Sequence, residues 1–251
     1  MTTGEMVVDV SQDWVLACDV QQRFMQAQRR TSDSADYSAR CRQVRALGGD
    51  CYDFIRLPGD RLALVVGDAS GKGLAAALMI ANVQSSLRTA ALFTGDDLTA
   101  LLKAVNHQSC SSSLANRYAT LFYGVFDNAK RTLRYINAGH NPPAVLRRDG
   151  SVEWLESSGA PVGMFPDSIY DEKIVELGAG DLVIAYTDGV VEATNQGGEE
   201  WGVKGLLKAA VCGTPRHQSA GDLVDLIFNS MDDFSKEHQT DDATLAVMQV
   251  I

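Results

Sequence analysis

Leu62-Ala63-Leu64-Val65-Val66-Gly67-Asp68-Ala69-Ser70-Gly71-Lys72-Gly73 runs from an unbroken apolar segment, through a carboxylate, into a glycine-rich turn. A short apolar run bounded by glycine reads as a buried strand. The apolar-periodic stretch from Leu74 onward reads as a helix, so Asp68 stands where a strand ends and turns into a helix. A carboxylate at such a place needs a partner, because an unpaired buried charge is costly. A divalent cation is one such partner. Asp50 in Gly48-Gly49-Asp50, Asp188 in Tyr186-Thr187-Asp188-Gly189, and Asp241-Asp242 before a last apolar segment occupy comparable places. Acids from distant segments, all at strand ends, suggest an oxygen-rich metal centre.

Working outward, the hairpin on the N-terminal side is Cys51–Leu57 and Arg61–Val66 around Pro58-Gly59-Asp60, a turn signal. Residues 13–28 carry Trp14, Ala17, Val20, Phe24 and Met25 near helical spacing, which predicts an N-terminal amphipathic helix. Arg29–Asp36 reads as a linker, and the alternation from Tyr37 as a strand. Two helices are expected after Gly73, one from Leu74 to Leu92 and one beginning near Asp96-Asp97. Further strands are expected at Tyr118–Phe126, Thr132–Ala138, Ala144–Arg147, Val152–Leu155, Ile174–Leu177, Leu182–Thr187 and Ala243–Ile251, with helices near Lys204–Val211 and Ala220–His238. Short turns between strands imply antiparallel pairing, and paired helices between strand groups imply a layered α+β fold.

The bulk numbers narrow the function. The chain has 251 residues, enough for one large domain, with a net charge of −10 and a pI near 4.8. That charge argues against a nucleic-acid partner. No apolar stretch approaches the ~20 residues that span a bilayer, and residues 1–13 lack the apolar core of a signal peptide. The five cysteines are scattered with no CxxC pair, as expected of reduced thiols in the cytoplasm without a zinc site.

Taken singly, the motifs have plain structural readings. Gly67–Gly73 could be a tight strand-to-helix turn, and it is not a P-loop, because the glycine spacing is wrong and Gly follows Lys72. Asp188-Gly189 could be turn punctuation like Asp149-Gly150. Asp50 could be a solvated loop acid, Asp241-Asp242 a strand flank, and His140 a polar turn residue orienting backbone. The combination favours chemistry. Mg²⁺ and Mn²⁺ want carboxylate and water ligands, and two such ions ~3.5–4 Å apart activate water and clamp a phosphoryl oxygen.

Six segments then carry a resemblance: Gly48–Phe54, Gly67–Gly73 with Ala75-Ala76, Tyr118–Gly124, Asn137–Pro143, Tyr186–Gly189 with Glu192-Ala193, and Asp241–Leu245. Together, and in this order, they are similar to the bacterial metal-dependent Ser/Thr protein phosphatases of the type 2C superfamily, in the branch containing SpoIIE and RsbU. The resemblance implies a four-layer α-β-β-α sandwich with two central, mainly antiparallel sheets. It divides the chain into an N-terminal helix and linker (1–36) and a phosphatase domain (37–251). It implies two Mn²⁺ or Mg²⁺ ions at the sheet edge. Asp68 resembles the bridging ligand, Ala69 a carbonyl ligand, Asp188 and Asp241 the acids completing one cation's shell, and Asp50 an acid holding a cation or its water. Asp242 stands second to Asp241. Arg45 resembles, in spacing, a phosphate-binding arginine of eukaryotic relatives. Cys51 and Ala69 replace a common Tyr and Val, and no Leu-Pro ends the N-terminal helix. The implied reaction is hydrolysis of phosphoserine or phosphothreonine on a protein, with an anti-sigma-factor antagonist in a partner-switching pathway as the expected substrate. Two rivals stand beside it: a catalytically inactive phosphoprotein-binding module and a small-molecule phosphomonoesterase. A homodimer through the N-terminal helix is a further expectation.

Overall fold

The computed structural model describes residues 10–25, 30–31, 34–94, 96–112, 116–213, 219–236 and 238–251. Among the described residues, eleven strands form two sheets, and every pairing between named strands is antiparallel. The five-stranded sheet has the order β3 (Asp50–Leu57), β4 (Arg61–Ala69), β5 (Ala119–Asp127), β6 (Thr132–Ala138) and β9 (Lys173–Glu176). The six-stranded sheet has the order β1 (Arg30–Thr31), β2 (Ala35–Arg42), β11 (Ala243–Val250), β10 (Leu182–Tyr186), β7 (Ala144–Leu146) and β8 (Val152–Trp154).

Side-chain alternation explains the layers. Along β4, Leu62, Leu64 and Val66 face one way and Ala63, Val65 and Ala69 the other, and both sets are buried. Leu62, Leu64 and Val66 meet Tyr37, Val183, Ala185 and Ala246 of the other sheet, so one core lies between the sheets. The other face packs on Ile80, Val83 and Leu87 of α2 (Leu74–Phe93) and Leu101, Leu102 and Val105 of α3 (Leu98–Ser112). The outer face of the six-stranded sheet, with Ile184, Leu245 and Val247, packs on α5 (Gly202–Gly213) and α6 (Ala220–Ser235) through Leu206, Leu223 and Ile227. Strands buried on both faces read as continuous apolar runs, and this is why β4 carries no polar alternation. The result is the expected α-β-β-α sandwich.

Two elements lie outside the sequence expectations. A four-residue helix, α4 (Asp188–Val191), begins at the Asp188-Gly189 dipeptide. The two-residue strand β1 borders β2 inside the segment read as linker. The N-terminal helix α1 spans Val10–Phe24. It lies against the sandwich through Gln21, whose Nε2 donates to the Gly48 carbonyl (2.8 Å) and whose Oε1 accepts from Gly48 N (3.1 Å). Its C-terminal carbonyls accept hydrogen bonds from Gln84 Nε2 and Arg88 Nη2 of α2, at 3.0 and 3.1 Å to Phe24 O. Among the described residues, no helix is long and apolar enough to cross a membrane. All five cysteines are free.

Candidate metal centre

The antiparallel registers bring the acids to one end of the sandwich. Asp50 opens β3 and Asp68 lies next to the end of β4, and they are direct partners across the ladder. In the second sheet, β10 ends just before Thr187-Asp188 and β11 begins just after Asp241-Asp242, with Tyr186 opposite Leu245. Two hydroxyls join the sheets here. Thr187 Oγ1 and Thr244 Oγ1 each donate to Asp50 Oδ2 at 2.7 Å. Thr244 N in turn donates to Thr187 Oγ1 at 2.9 Å. Asp50 is 2% exposed, so the two donors fix its carboxylate inside the sandwich.

Asp68 lies closer to the surface, among the other acids. Burial, and then the Asp188, Asp241 and Asp242 charges, push its carboxyl up to about 7, against the pull of a hydrogen bond with Asp50. Burial and the Asp68 charge raise Asp50 well above the carboxylate range, while its two threonine partners act to lower it. Asp188 is raised by burial and by Asp241. Glu192, one turn along from Asp188, is raised by burial and by the Asp188 charge. Each acid thus disfavours the charge of its neighbours. A cation among them reverses that effect.

The remaining expected residues fall at the rim. A Cβ on Gly49 would meet the Ala69 carbonyl oxygen at 3.1 Å and Asp68 Oδ1 at 3.3 Å, so both oxygens look onto the Gly48-Gly49 turn. Asp241 Oδ2 accepts from Lys72 Nζ at 2.6 Å. Asp242 holds the 44–49 loop, accepting from Val44 N at 2.8 Å and Gly49 N at 2.9 Å. Arg45 is exposed, with Nη1 3.6 Å from where a Cβ on Gly73 would lie, beside the loop that follows Asp68. His140 is buried, which a polar turn residue would not require. Its Nδ1 lies 2.9 Å from Thr120 Oγ1, and Thr120 is the ladder partner of Asp68. Burial lowers this imidazole to about 4, so it is neutral at physiological pH.

The donor set fits hard cations. The proposed donors are all oxygen, carboxylates and one carbonyl. Among the described residues, no group of three or more His, Cys, Asp or Glu side chains is placed so that it could already hold a metal ion. The donors thus match a hard cation in type, and a shell around it needs waters or a shift of these side chains.

Sequence reasoning missed Thr187, Thr244 and Lys72. Each adjoins an acid or glycine that was singled out, and a hydroxyl residue beside an acid at a strand end is the signal that could have found the two threonines.

Comparison with known proteins accords with this geometry. The chain is 30% identical over 238 residues to protein IcfG of Synechocystis sp. and 25% identical over 244 residues to the phosphoserine phosphatase RsbU of Bacillus subtilis. These matches cover 83% and 96% of this chain, and 36% and 71% of the relatives, so the chain spans little more than a third of IcfG. Its fold is that of the SiaA-PP2C domain of Pseudomonas aeruginosa, with a TM-score of 0.81, 17% identity and 96% of both chains covered. It is also that of the catalytic domain of the serine/threonine phosphatase PstP, solved in complex with two manganese ions, with a TM-score of 0.65, 18% identity, and 87% and 99% covered. The family model described as Stage II sporulation protein E (SpoIIE) matches residues 58–251, which hold Asp68, Asp188 and Asp241 and leave Asp50 just outside. The chain belongs to the SpoIIE family.

Proposed function

We propose that this chain hydrolyses phosphoserine or phosphothreonine on a protein, using two Mn²⁺ or Mg²⁺ ions held at the joint edge of the two sheets. The observation that carries the reading is the convergence of Asp50, Asp68, Asp188 and Asp241, two from each sheet, with the buried Asp50 tied across the sheets by Thr187 and Thr244. Asp68 would serve both cations and the Ala69 carbonyl one of them, Asp188 and Asp241 would complete one shell, and Asp50 would hold a cation or its water. Asp242 would act mainly by fixing the 44–49 loop, ahead of any contact with a cation. When bound, the cations supply an activated water and neutralise charge on the phosphoryl group.

The protein's own contribution is placement. The two threonines keep Asp50 in one rotamer, and the Asp241–Lys72 pair leaves Asp241 at the open side of the cluster. Arg45, exposed beside the loop that follows Asp68, would take a phosphoryl oxygen, for which a guanidinium is suited. A phosphoserine substrate is supported by the naming of RsbU as a phosphoserine phosphatase. A phosphorylated anti-sigma-factor antagonist is the substrate we favour within that class, acting in a reduced cytoplasm as the free cysteines suggest. The intact acid set speaks against a module that only binds.

We further propose that residues 1–36 form a regulatory unit on the 37–251 phosphatase domain, and that α1 pairs with a second copy. Val15, Leu16 and Val20 of α1 are more than half exposed, and an apolar cleft of about 260 Å³ opens between α1, Leu47 and the Leu74–Ala81 face of α2. Gln21 links this helix to Gly48 and so to the turn before Asp50. Deleting residues 1–30 tests this: a folded truncation with unchanged mass, turnover and metal affinity rules the unit out.

The activity itself is tested with the metal-stripped chain on matched panels of phosphopeptides and small phosphomonoesters. Mn²⁺ or Mg²⁺ is expected to restore hydrolysis of the phosphopeptides. Rescue by Zn²⁺ alone contradicts the oxygen-site argument. Preference for a metabolite favours the small-substrate rival, and no turnover of p-nitrophenyl phosphate with Mn²⁺ favours the binding module.

A further inference from the structure

Ser70 is the first residue beyond the β4–β5 ladder, two positions after Asp68 and one after Ala69. All of its polar groups are engaged by residues 117 and 118. Ser70 N donates to Tyr118 O at 2.8 Å. Ser70 Oγ accepts from Tyr118 N at 3.0 Å. The Ser70 carbonyl accepts from Arg117 Nη1 at 2.7 Å. Arg117 also lies across Gly71: a Cβ there would sit 1.8 Å from Nη1 and 2.9 Å from Cζ. Gly71 has φ +92°, so glycine is required twice over, by the backbone conformation and by the overlying guanidinium. Asn116, at φ +66°, makes the turn that delivers Arg117, and asparagine tolerates that conformation.

We infer that Arg117 is a positioning residue for the loop that carries Asp68 and the Ala69 carbonyl. The inference rests on the cation-centre reading above. The ladder alone fixes the chain only as far as Ala69. The next turn must enter α2 through Gly71 and Gly73, two residues of wide conformational freedom. A charge-assisted bond to the Ser70 carbonyl, with a planar group covering Gly71, holds that turn in one arrangement. Near-ideal cation geometry depends on such support, and outer groups of this kind are typically worth about 10-fold or more in metal affinity.

The test is calorimetric titration of Mn²⁺ into the full chain, alongside steady-state kinetics on a phosphopeptide. Arg117→Ala is expected to weaken Mn²⁺ binding by about 10-fold, with KM for the peptide unchanged and kcat largely recovered at saturating Mn²⁺. Arg117→Lys is expected to fall between, because an ammonium reaches the Ser70 carbonyl but leaves Gly71 uncovered. It also guards against an alanine variant that does not fold. Gly71→Ala should also weaken binding, through the contact with the guanidinium and, independently of it, through the strained backbone at φ +92°. Folded Arg117 variants with wild-type Mn²⁺ affinity overturn the inference, as does a rise in KM with affinity unchanged, which makes Arg117 a substrate contact. If the wild type itself binds no Mn²⁺, the cation reading fails and the assignment falls with it, so the two failures are told apart by the wild-type trace.

Discussion

The two sheets contribute unlike halves to the acid cluster. From the five-stranded sheet come Asp50 and Asp68, ladder partners, with Asp50 almost wholly buried and hydrogen-bonded by two threonines. From the six-stranded sheet come Asp188 and Asp241, on the short segments that follow and precede strands. The Asp241 side chain is 38% exposed and leans on a lysine that is itself half exposed. One half is rigid and electrostatically unfavourable without a cation, while the other is open and already partly compensated. The difference suggests a division of labour: the buried half sets where the cations sit, and the open half admits water and substrate.

That contrast orders the expected effects of mutation. Asp68→Asn should be the most severe, removing the charge that both cations would share under the proposed function. If it withdraws several kcal/mol of stabilisation, turnover falls by roughly 1,000-fold or more. Asp188→Asn and Asp241→Asn should lower turnover nearly as far, with part of the loss recovered at high Mn²⁺ because the open half keeps other ligands. Phosphopeptide turnover measured across a range of Mn²⁺ concentrations separates the two behaviours, and equal recovery in all three variants would erase the distinction between the halves.

Next in size is the joint between the sheets. Replacing Thr187 and Thr244 together by Val removes both donors to the buried Asp50 and should destabilise the protein by about 2 kcal/mol in urea unfolding. Those donors lower the Asp50 carboxyl, so their loss raises it further and shifts the acid limb of the pH–activity profile to higher pH. An unmoved acid limb would show that Asp50 does not need this support.

The pH dependence follows from the raised Asp68. A carboxyl held higher in the folded than in the unfolded chain stabilises the fold below the ordinary carboxylate range and loses that contribution as pH rises through about 7. Metal-free protein should therefore lose thermal stability from about pH 4 upward. The rise in melting temperature on adding Mn²⁺ should be greater at about pH 8 than at about pH 6, since protons compete with the cation. Equal shifts at the two pH values would contradict the mutual repulsion of the acids. The smallest effect is expected from Lys72→Gln. An exposed pair contributes about 1 kcal/mol or less, so metal-free stability should change by less than that in the same assay.

Most of the frame was legible because β-structure leaves a strong local signal. The expected strand Thr132–Ala138 matches β6 residue for residue, and the Pro58-Gly59-Asp60 turn joins β3 and β4. What could not be read is what depends on approach between distant segments. Asp149-Gly150 and Asp188-Gly189 are the same dipeptide in sequence. Asp149 Oδ1 folds back on Ser151 N and Oγ, an ordinary turn facing solvent. Gly189 instead begins α4 against the 241–242 backbone, where a Cβ would lie 2.0 Å from the Asp242 carbonyl oxygen. Nothing local distinguishes them; only the β10–β11 register does. Likewise, Asp242 looks like a twin of Asp241 in sequence, yet its carboxylate is spent on two backbone amides of the 44–49 loop. His140 reads as a turn residue because its burial comes from folding, not from its neighbours in the chain.

The claim at the centre of this account is that Asp68, from the buried half, serves two cations at once. Calorimetric titration of Mn²⁺ into metal-stripped wild-type and Asp68→Asn protein tests it most directly. The account predicts two ions per chain in the wild type and loss of tight binding at both sites in the variant, with the fold retained by circular dichroism. A variant that still binds two ions with wild-type affinity would contradict it.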